Sequence, residues 1–205
     1  MSKIKAIIFD FDETLYNGEP FDKWGEFVLK AIETIIPDKE KRDEFLLKYP
    51  QVRGNISSSR LAEILKKELG SAELYVKYEK EHIYSLRVDI ITAIENNYLY
   101  ELSQKYPLVI VSNSSYEHIR FYLKEFGIAE SNFTAIYQNE FKEFGKGKYY
   151  IEVMKKFNCK ADEVLVLGDN FEADILPAIK LGMCGYHVKD INELKRIIES
   201  KTFEY

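Results

Sequence analysis

Asp10 and Asp12 stand two positions apart in the stretch Ile7-Ile8-Phe9-Asp10-Phe11-Asp12-Glu13-Thr14-Leu15. Side chains two apart on an extended segment point to the same side, so the two carboxylates reach one small space if a cation offsets their repulsion. Buried acids rarely cluster by accident, so such a pair, converging beside a cation, marks the place where the chain is expected to do its chemistry. A helix cap or a solvated turn also uses Asp, but neither needs an acidic pair. Three further stretches bear groups of matching chemistry: Ser112-Asn113 after Leu108-Val109-Ile110-Val111, Lys146 within Gly145-Lys146-Gly147, and Gly168-Asp169-Asn170 after Val164-Leu165-Val166-Leu167, with Asp174 five positions beyond Asp169. Ser112 and Asn113 could equally cap a following helix, Gly168-Asp169 could form an ordinary turn, and Lys142 and Lys148 compete with Lys146. Gly145-Lys146-Gly147-Lys148 lacks the glycine spacing of a nucleotide-binding P-loop and follows no clear strand, which excludes that use. His82, His118 and His187 are scattered and read as structural or surface residues.

The elements that must position these groups alternate between strand and helix, the pattern of βαβ units around a parallel sheet. Strands are expected over Lys3–Phe9, Leu108–Val111, Ala135–Tyr137, Val164–Leu167 and Gly185–Val188. Helices are expected over Tyr116–Phe126, Tyr149–Phe157, Ile175–Lys180 and Ile191–Ser200, with Gly127 and Gly182 as C-caps. Strands apolar on both faces belong inside a sheet covered on both sides, so Asp10 and Asp12 emerge at its carboxyl edge, where open parallel sheets bind ligands. Between Leu15 and about Arg87 strand signals vanish. Phe21, Trp24, Phe27, Val28, Ala31, Ile32 and Ile35 recur at helical spacing, and Phe45–Tyr49, Leu61–Leu69 and Leu74–Leu86 continue it. Helix-spaced apolar residues usually pack inward, so this stripe reads as a helical core, and 50–59 as a polar connecting loop. Residues 90–106 are expected to return the chain to the sheet as a helix.

Asp10-Phe11-Asp12-Glu13-Thr14 resembles the Asp-x-Asp-x-Thr nucleophile loop of the haloacid dehalogenase-like superfamily of phosphohydrolases, and the Ser112, Lys146 and Gly168-Asp169 stretches follow in that family's order. The resemblance implies a Rossmann-like three-layer α/β core, residues 1–16 and 89–205, with parallel strand order 3-2-1-4-5, and an α-helical cap inserted at 17–88. It implies Asp10 as nucleophile, Asp12 as proton donor and acceptor, and Mg²⁺ held by the carboxylates of Asp10 and Asp169 with the backbone carbonyl of Asp12. Asp174 would support the metal from behind or through water, and Thr14 would fix the nucleophile loop. The Ser112 hydroxyl, the Asn113 amide and Lys146 would hold the phosphoryl group. The implied activity is a Mg²⁺-dependent phosphatase of a small phosphorylated metabolite working through an aspartyl phosphate. The alternatives are a phosphomutase of the same superfamily and a noncatalytic Mg²⁺-binding module. Phosphate esters resist attack because their anionic oxygens repel nucleophiles, so the positive groups have a definable purpose. Family dehalogenases lack the second aspartate, so Asp12 argues for phosphoryl transfer over carbon–halogen cleavage. The family lysine is frequently followed by proline, whereas Gly147 follows Lys146, which keeps Lys148 open as a substitute.

Composition sets outer bounds. A chain of 205 residues, 46% hydrophobic and 14% aromatic, can bury a core and a small accessory unit. A net charge of −5 without a dense basic run argues against a nucleic-acid surface. The two cysteines, Cys159 and Cys184, suggest neither a zinc cluster nor a disulfide framework and are expected to be reduced and buried. Met1-Ser2-Lys3 leads directly into the first strand, and no span approaches the roughly 20 apolar residues of a membrane helix, so no membrane partner and a cytoplasmic location are expected.

Overall fold

The computed structural model describes residues 3–18, 21–53, 56, 58–82, 90–138 and 145–200. It divides into two compact units, Met1–Gly18 with Ile90–Tyr205, and Glu19–Asp89.

The first unit is built on a five-stranded parallel sheet of β1 (Ala6–Phe9), β4 (Leu108–Ser112), β5 (Phe133–Gln138), β6 (Val164–Gly168) and β7 (Cys184–His187), while β2 (Tyr16–Gly18) and β3 (Ile90–Ala93) form a separate antiparallel pair. The spatial order is β5-β4-β1-β6-β7. Counted over the core strands alone, this is the expected 3-2-1-4-5; the small β2–β3 pair only shifts the numbering. Every residue of β1, β4 and β6 is buried, which is why these strands read as unbroken apolar runs rather than alternating ones. Register brings the three strand ends level: Phe9 lies beside Ile110 on one side and Leu167 on the other. The residues that follow, Asp10, Ser112 and Gly168-Asp169, therefore emerge together.

Helices α5 (Asn96–Ser103), α6 (Tyr116–Glu125), α7 (Gly147–Phe157), α8 (Leu176–Lys180) and α9 (Ile191–Ser200) complete this unit. On one sheet face, Ala6, Ile8, Val109, Val111, Val164 and Val166 pack with Tyr150 and Val153 of α7 and Ala178 of α8. The alternate strand residues point the other way, and α5, α6 and α9 carry the remaining buried apolar faces, including Leu99, Ile119, Tyr122, Leu194 and Ile198. Gly127 closes α6 with φ 66°, a left-handed conformation that lets Ile128 N donate to Leu123 O at 2.8 Å. Ser115, not Ser112 or Asn113, caps α6, its hydroxyl accepting from His118 N at 3.2 Å.

Two expectations need correction. The stretch 90–106 is not one helix: Ile90–Ala93 is strand β3, paired with β2 so that Tyr16 stands opposite Ala93, and only Asn96–Ser103 is helical. Strand signal is accordingly not absent after Leu15, because Tyr16–Gly18 supplies the partner. Cys159 and Cys184 are free, as expected, but half-buried rather than buried.

The second unit holds α1 (Phe21–Ile35), α2 (Lys39–Lys48), α3 (Ser58–Leu69) and α4 (Glu73–His82), with a 3-10 turn at Pro50–Arg53 within the stretch expected to be loop. Phe27, Val28, Ala31 and Ile32 of α1 enter its core with Phe45, Val52, Leu61, Leu65 and Tyr75. Trp24 stacks on Phe27 at 5.2 Å and donates its indole N–H to Ile56 O at 2.7 Å, which satisfies the polar end of a partly buried ring. Leu86, expected on the last apolar stripe, lies outside the described residues. Among the described residues no helix is long and apolar enough to cross a membrane.

Candidate active site

Asp10 leaves β1 with its backbone N–H on Leu167 O of β6 at 2.9 Å, so the loop after β1 is hung on the neighbouring strand as well as its own. The chain then turns tightly: Leu15 N donates to Phe11 O at 3.0 Å, and Glu13 takes the left-handed φ of 57°, an uncommon conformation for a residue with a side chain. Thr14, fully buried, ties this turn to the end of β6, its hydroxyl accepting from Asp169 N at 3.0 Å and reaching Asp169 Oδ1 at 3.4 Å.

Lys146 comes to the same place from the start of α7. Its ammonium donates to Asp10 Oδ1 at 2.6 Å and to Asp174 Oδ1 at 2.5 Å, with 3% of the side chain exposed. A cation is poorly placed at a helix N-terminus, and burial works against its charge, yet Asp10 and Asp174 hold the ammonium protonated well above the ordinary lysine range. Lys148 is elsewhere, with its ammonium over the Tyr149 ring at 5.6 Å, and Lys142 lies outside the described residues. Gly147 is the first residue of α7, a position where proline is well tolerated, and its open side meets nothing closer than 3.9 Å.

Asp174 sits in a π-helical turn, Phe171–Ile175, in which Leu176 N reaches back to Phe171 O. Asn170 starts this turn, its side-chain oxygen accepting from Glu172 N at 3.1 Å and Ala173 N at 3.0 Å, while its own N–H donates to Asp174 Oδ2 at 3.0 Å. Gly168 is required by packing: a Cβ there would lie 2.6 Å from Asp174 Cβ. Asp10, Asp169 and Asp174 consequently each present an oxygen within 4.8 Å of the others, facing the single ammonium of Lys146. Burial, opposed by Lys146 and reinforced by Asp12 and Asp169, pushes the Asp10 carboxyl up to about 7. Burial and then Asp10 raise Asp174 to about 6, and burial also raises Asp169.

The Asp12 side chain turns to other partners. Its Oδ1 accepts from the Tyr16 hydroxyl at 2.8 Å and lies 3.1 Å from His118 Nε2; its Oδ2 accepts from the Ser114 hydroxyl at 2.5 Å and the Ser112 hydroxyl at 3.3 Å. Burial works against ionisation here, but His118, Ser114 and Tyr16 outweigh it and hold the carboxyl well below the usual range. Ser112 Oγ also accepts from Ser114 N at 3.0 Å. Asn113 is half-buried beside it. The residues drawn together are thus Asp10, Lys146, Asp169, Asp174 and Thr14 around one centre, and Asp12 and Ser112 in an adjoining network. Sequence reasoning missed Ser114, Tyr16 and His118; His118, set aside as structural or surface, stands on Asp12. The available signal was position, since α6 starts directly after the strand that ends in Ser112 and its first turn must face the same crevice.

A parallel open sheet with carboxylates, an ammonium and hydroxyls gathered past the carboxyl ends of its central strands is the architecture of an α/β enzyme. The chain belongs to the haloacid dehalogenase-like hydrolase family, whose sequence model matches residues 4–182. It is 26% identical over 204 residues to a glyceraldehyde 3-phosphate phosphatase of Methanocaldococcus jannaschii, covering 88% of this chain and 82% of the relative. Its fold is similar to that of a haloacid dehalogenase-like family hydrolase from Streptococcus pneumoniae, with a TM-score of 0.62 and 21% identity over 96% of this chain and 91% of the other. A family hydrolase from Bacillus subtilis, solved bound to magnesium, aligns with a TM-score of 0.55 and 18% identity over 97% and 100% of the two chains.

Proposed function

We propose that the protein is a Mg²⁺-dependent phosphatase of a small phosphate monoester, acting through an aspartyl phosphate on Asp10. The observation that carries this reading is the buried Asp10–Lys146–Asp174 ion-pair chain with Asp169 beside it. Three carboxylates face one ammonium, so negative charge is left over, and an all-oxygen donor set without His or Cys suits a hard cation. The Asp10 and Asp169 carboxylates and the Asp12 backbone carbonyl would hold Mg²⁺, with Asp174 behind them; when bound, the ion would neutralise charge on the phosphoryl oxygens. The magnesium in the Bacillus subtilis structure belongs to that protein and supports the choice of ion here.

Asp10, held by Lys146, attacks phosphorus in line with the departing alcohol. Lys146 balances the charge of both the carboxylate and the transferring group. The Ser112 hydroxyl and the Asn113 amide bind phosphoryl oxygens. Asp12 gives a proton to the leaving oxygen and takes one from the water that later hydrolyses the acyl phosphate. Thr14 holds the Asp10 loop against Asp169. The activity printed for the Methanocaldococcus jannaschii relative supports a small phosphorylated metabolite as substrate. We assign substrate selection to the helical unit Glu19–Asp89, because the chain inserts it directly after the loop that carries Asp10 and Asp12.

The test is phosphate release from p-nitrophenyl phosphate and a panel of small phosphorylated metabolites, glyceraldehyde 3-phosphate included, with Mg²⁺ and after chelation. Turnover should require Mg²⁺, and Asp10→Asn, which preserves shape, should lower kcat about 10³-fold or more. Turnover of the Asn variant equal to that of the natural chain would remove Asp10 from the nucleophile role.

A further inference from the structure

We propose that His118, together with Tyr16 and Ser114, is a positioning residue for Asp12, fixing the direction of its carboxylate for proton transfer to the leaving alcohol. The inference rests on the phosphatase reading above and assigns the device that aims its proton donor.

A carboxylate has about four acceptor positions, and here all four are taken. The four donors differ in origin and in length. Tyr16 comes from β2, Ser112 ends β4, and Ser114 and His118 come from the β4–α6 junction and the first turn of α6. His118 reaches Oδ1 through Nε2 at 3.1 Å, the nitrogen that donates when it carries the ring hydrogen. The Ser112 contact, 3.3 Å, is the longest of the four. One hydroxyl hydrogen cannot serve Asp12 and a phosphoryl oxygen at once, so when Ser112 turns to the phosphoryl group the three shorter contacts remain to hold Asp12 in place.

His118 is itself held firmly. Its ring meets Phe11 edge-on at 6.1 Å and lies against Tyr122 at 4.6 Å, leaving 13% of the side chain exposed. Tyr16, 2% exposed, stacks on Tyr122 and touches Phe126, so its hydroxyl has little freedom except toward Asp12. The aromatic cluster between β2 and α6 thereby becomes the rigid frame for a catalytic side chain, the arrangement that keeps a reacting group within a fraction of an ångström of its working direction.

The step served is defined. As the Asp10 oxygen bonds to phosphorus, the bond from phosphorus to the ester oxygen breaks with its electron pair on that oxygen, which takes the proton that Asp12 carries, in the substrate complex, at the Oδ2 position Ser112 has left, and leaves as a neutral alcohol. Asp12 recovers a proton from the water whose oxygen then attacks phosphorus and releases Asp10. An alkyl alcohol needs that proton, whereas p-nitrophenolate leaves without it.

The experiment compares kcat and KM for p-nitrophenyl phosphate and glycerol 3-phosphate in the natural chain, His118→Phe, His118→Gln and Tyr16→Phe. Phe at 118 keeps the ring packing and removes the nitrogen; Gln offers an N–H again. His118→Phe and Tyr16→Phe should each lower kcat/KM, which covers only the steps through departure of the alcohol and not the later hydrolysis shared by both esters, about tenfold or more on the alkyl ester and less than about threefold on the aryl ester. His118→Gln should recover much of the alkyl-ester rate. Equal losses on the two esters, or no loss in either aromatic variant, would overturn the inference while leaving the phosphatase reading intact. A natural chain that hydrolyses neither ester takes both down.

Discussion

Gly168 shows how one missing side chain organises the acidic centre. Its absent Cβ is the space in which Asp174 lies, since an added carbon would come 2.6 Å from Asp174 Cβ and equally close to Oδ2. Asp174 in turn gives Lys146 its second carboxylate and lets the ammonium sit 2.6 Å from Asp10. Gly168→Ala therefore acts on Asp10 through two intermediaries. The variant should lose about 1–3 kcal/mol of stability by overpacking. Its Mg²⁺-dependent kcat should fall about 10²-fold, the usual effect of displacing a positioning group by an ångström. Urea unfolding and phosphate release read the two effects separately, and a variant with natural kcat would break the proposed chain from Gly168 to Asp10.

The π-helical turn that carries Asp174 depends on its first residue. Asn170 occupies two backbone N–H groups with its side chain and one oxygen of Asp174 with its own N–H. Asn170→Ala should cost about 1 kcal/mol in urea unfolding, as the loss of an N-cap side chain does. A larger share of the loss should appear in kcat, because the turn that frays is the one aiming Asp174 at Lys146; unchanged stability would mean water replaces the cap. Elements of this kind divide what the sequence makes legible from what it hides. β1, β4 and β6 could be read directly because burial on both faces leaves unbroken apolar runs, and Asp10, Ser112 and Asp169 follow those runs at once. The β2–β3 pair could not, because Tyr16–Gly18 is three residues long and its partner is over seventy residues away, so neither strand carries local periodicity. Ile90–Ala93, four residues long, is too short to show a period apart from the helix that follows it. His118 was hidden for a related reason: it is one residue on a helix face, and only the parallel pairing of β1 with β4 brings that face to Asp12. Lys146 could be named but not separated from Lys148, since its choice depends on α7 starting at Gly147.

The balance of charge over the first unit links folding to metal binding. Without an ion, burial and mutual repulsion raise the folded-state pKa of Asp10 from 3.8 to about 7 and that of Asp174 from 3.8 to about 6. A carboxyl raised on folding favours the folded state while it is protonated; that contribution is whole below the unfolded value near 3.8 and is lost as pH climbs through the folded value. The metal-free protein should therefore lose stability between about pH 4 and pH 7, by on the order of 4 kcal/mol from Asp10 alone at about 1.4 kcal/mol per unit. Asp12 titrates in the opposite sense, since its folded value is depressed, and its effect falls below pH 4, outside this window. A divalent ion reverses the slope, because binding needs the ionised carboxylates and releases their protons. Thermal unfolding at pH 5, 6, 7 and 8, in metal-free buffer and in excess Mg²⁺, should give a midpoint that falls with pH in the first series and a gap between the series that widens toward pH 8. Curves that run parallel would show that Mg²⁺ binds away from Asp10 and Asp174. The same widening should be much reduced in Asp10→Asn, which carries no proton to displace at position 10, so the variant that tests the nucleophile also locates the ion.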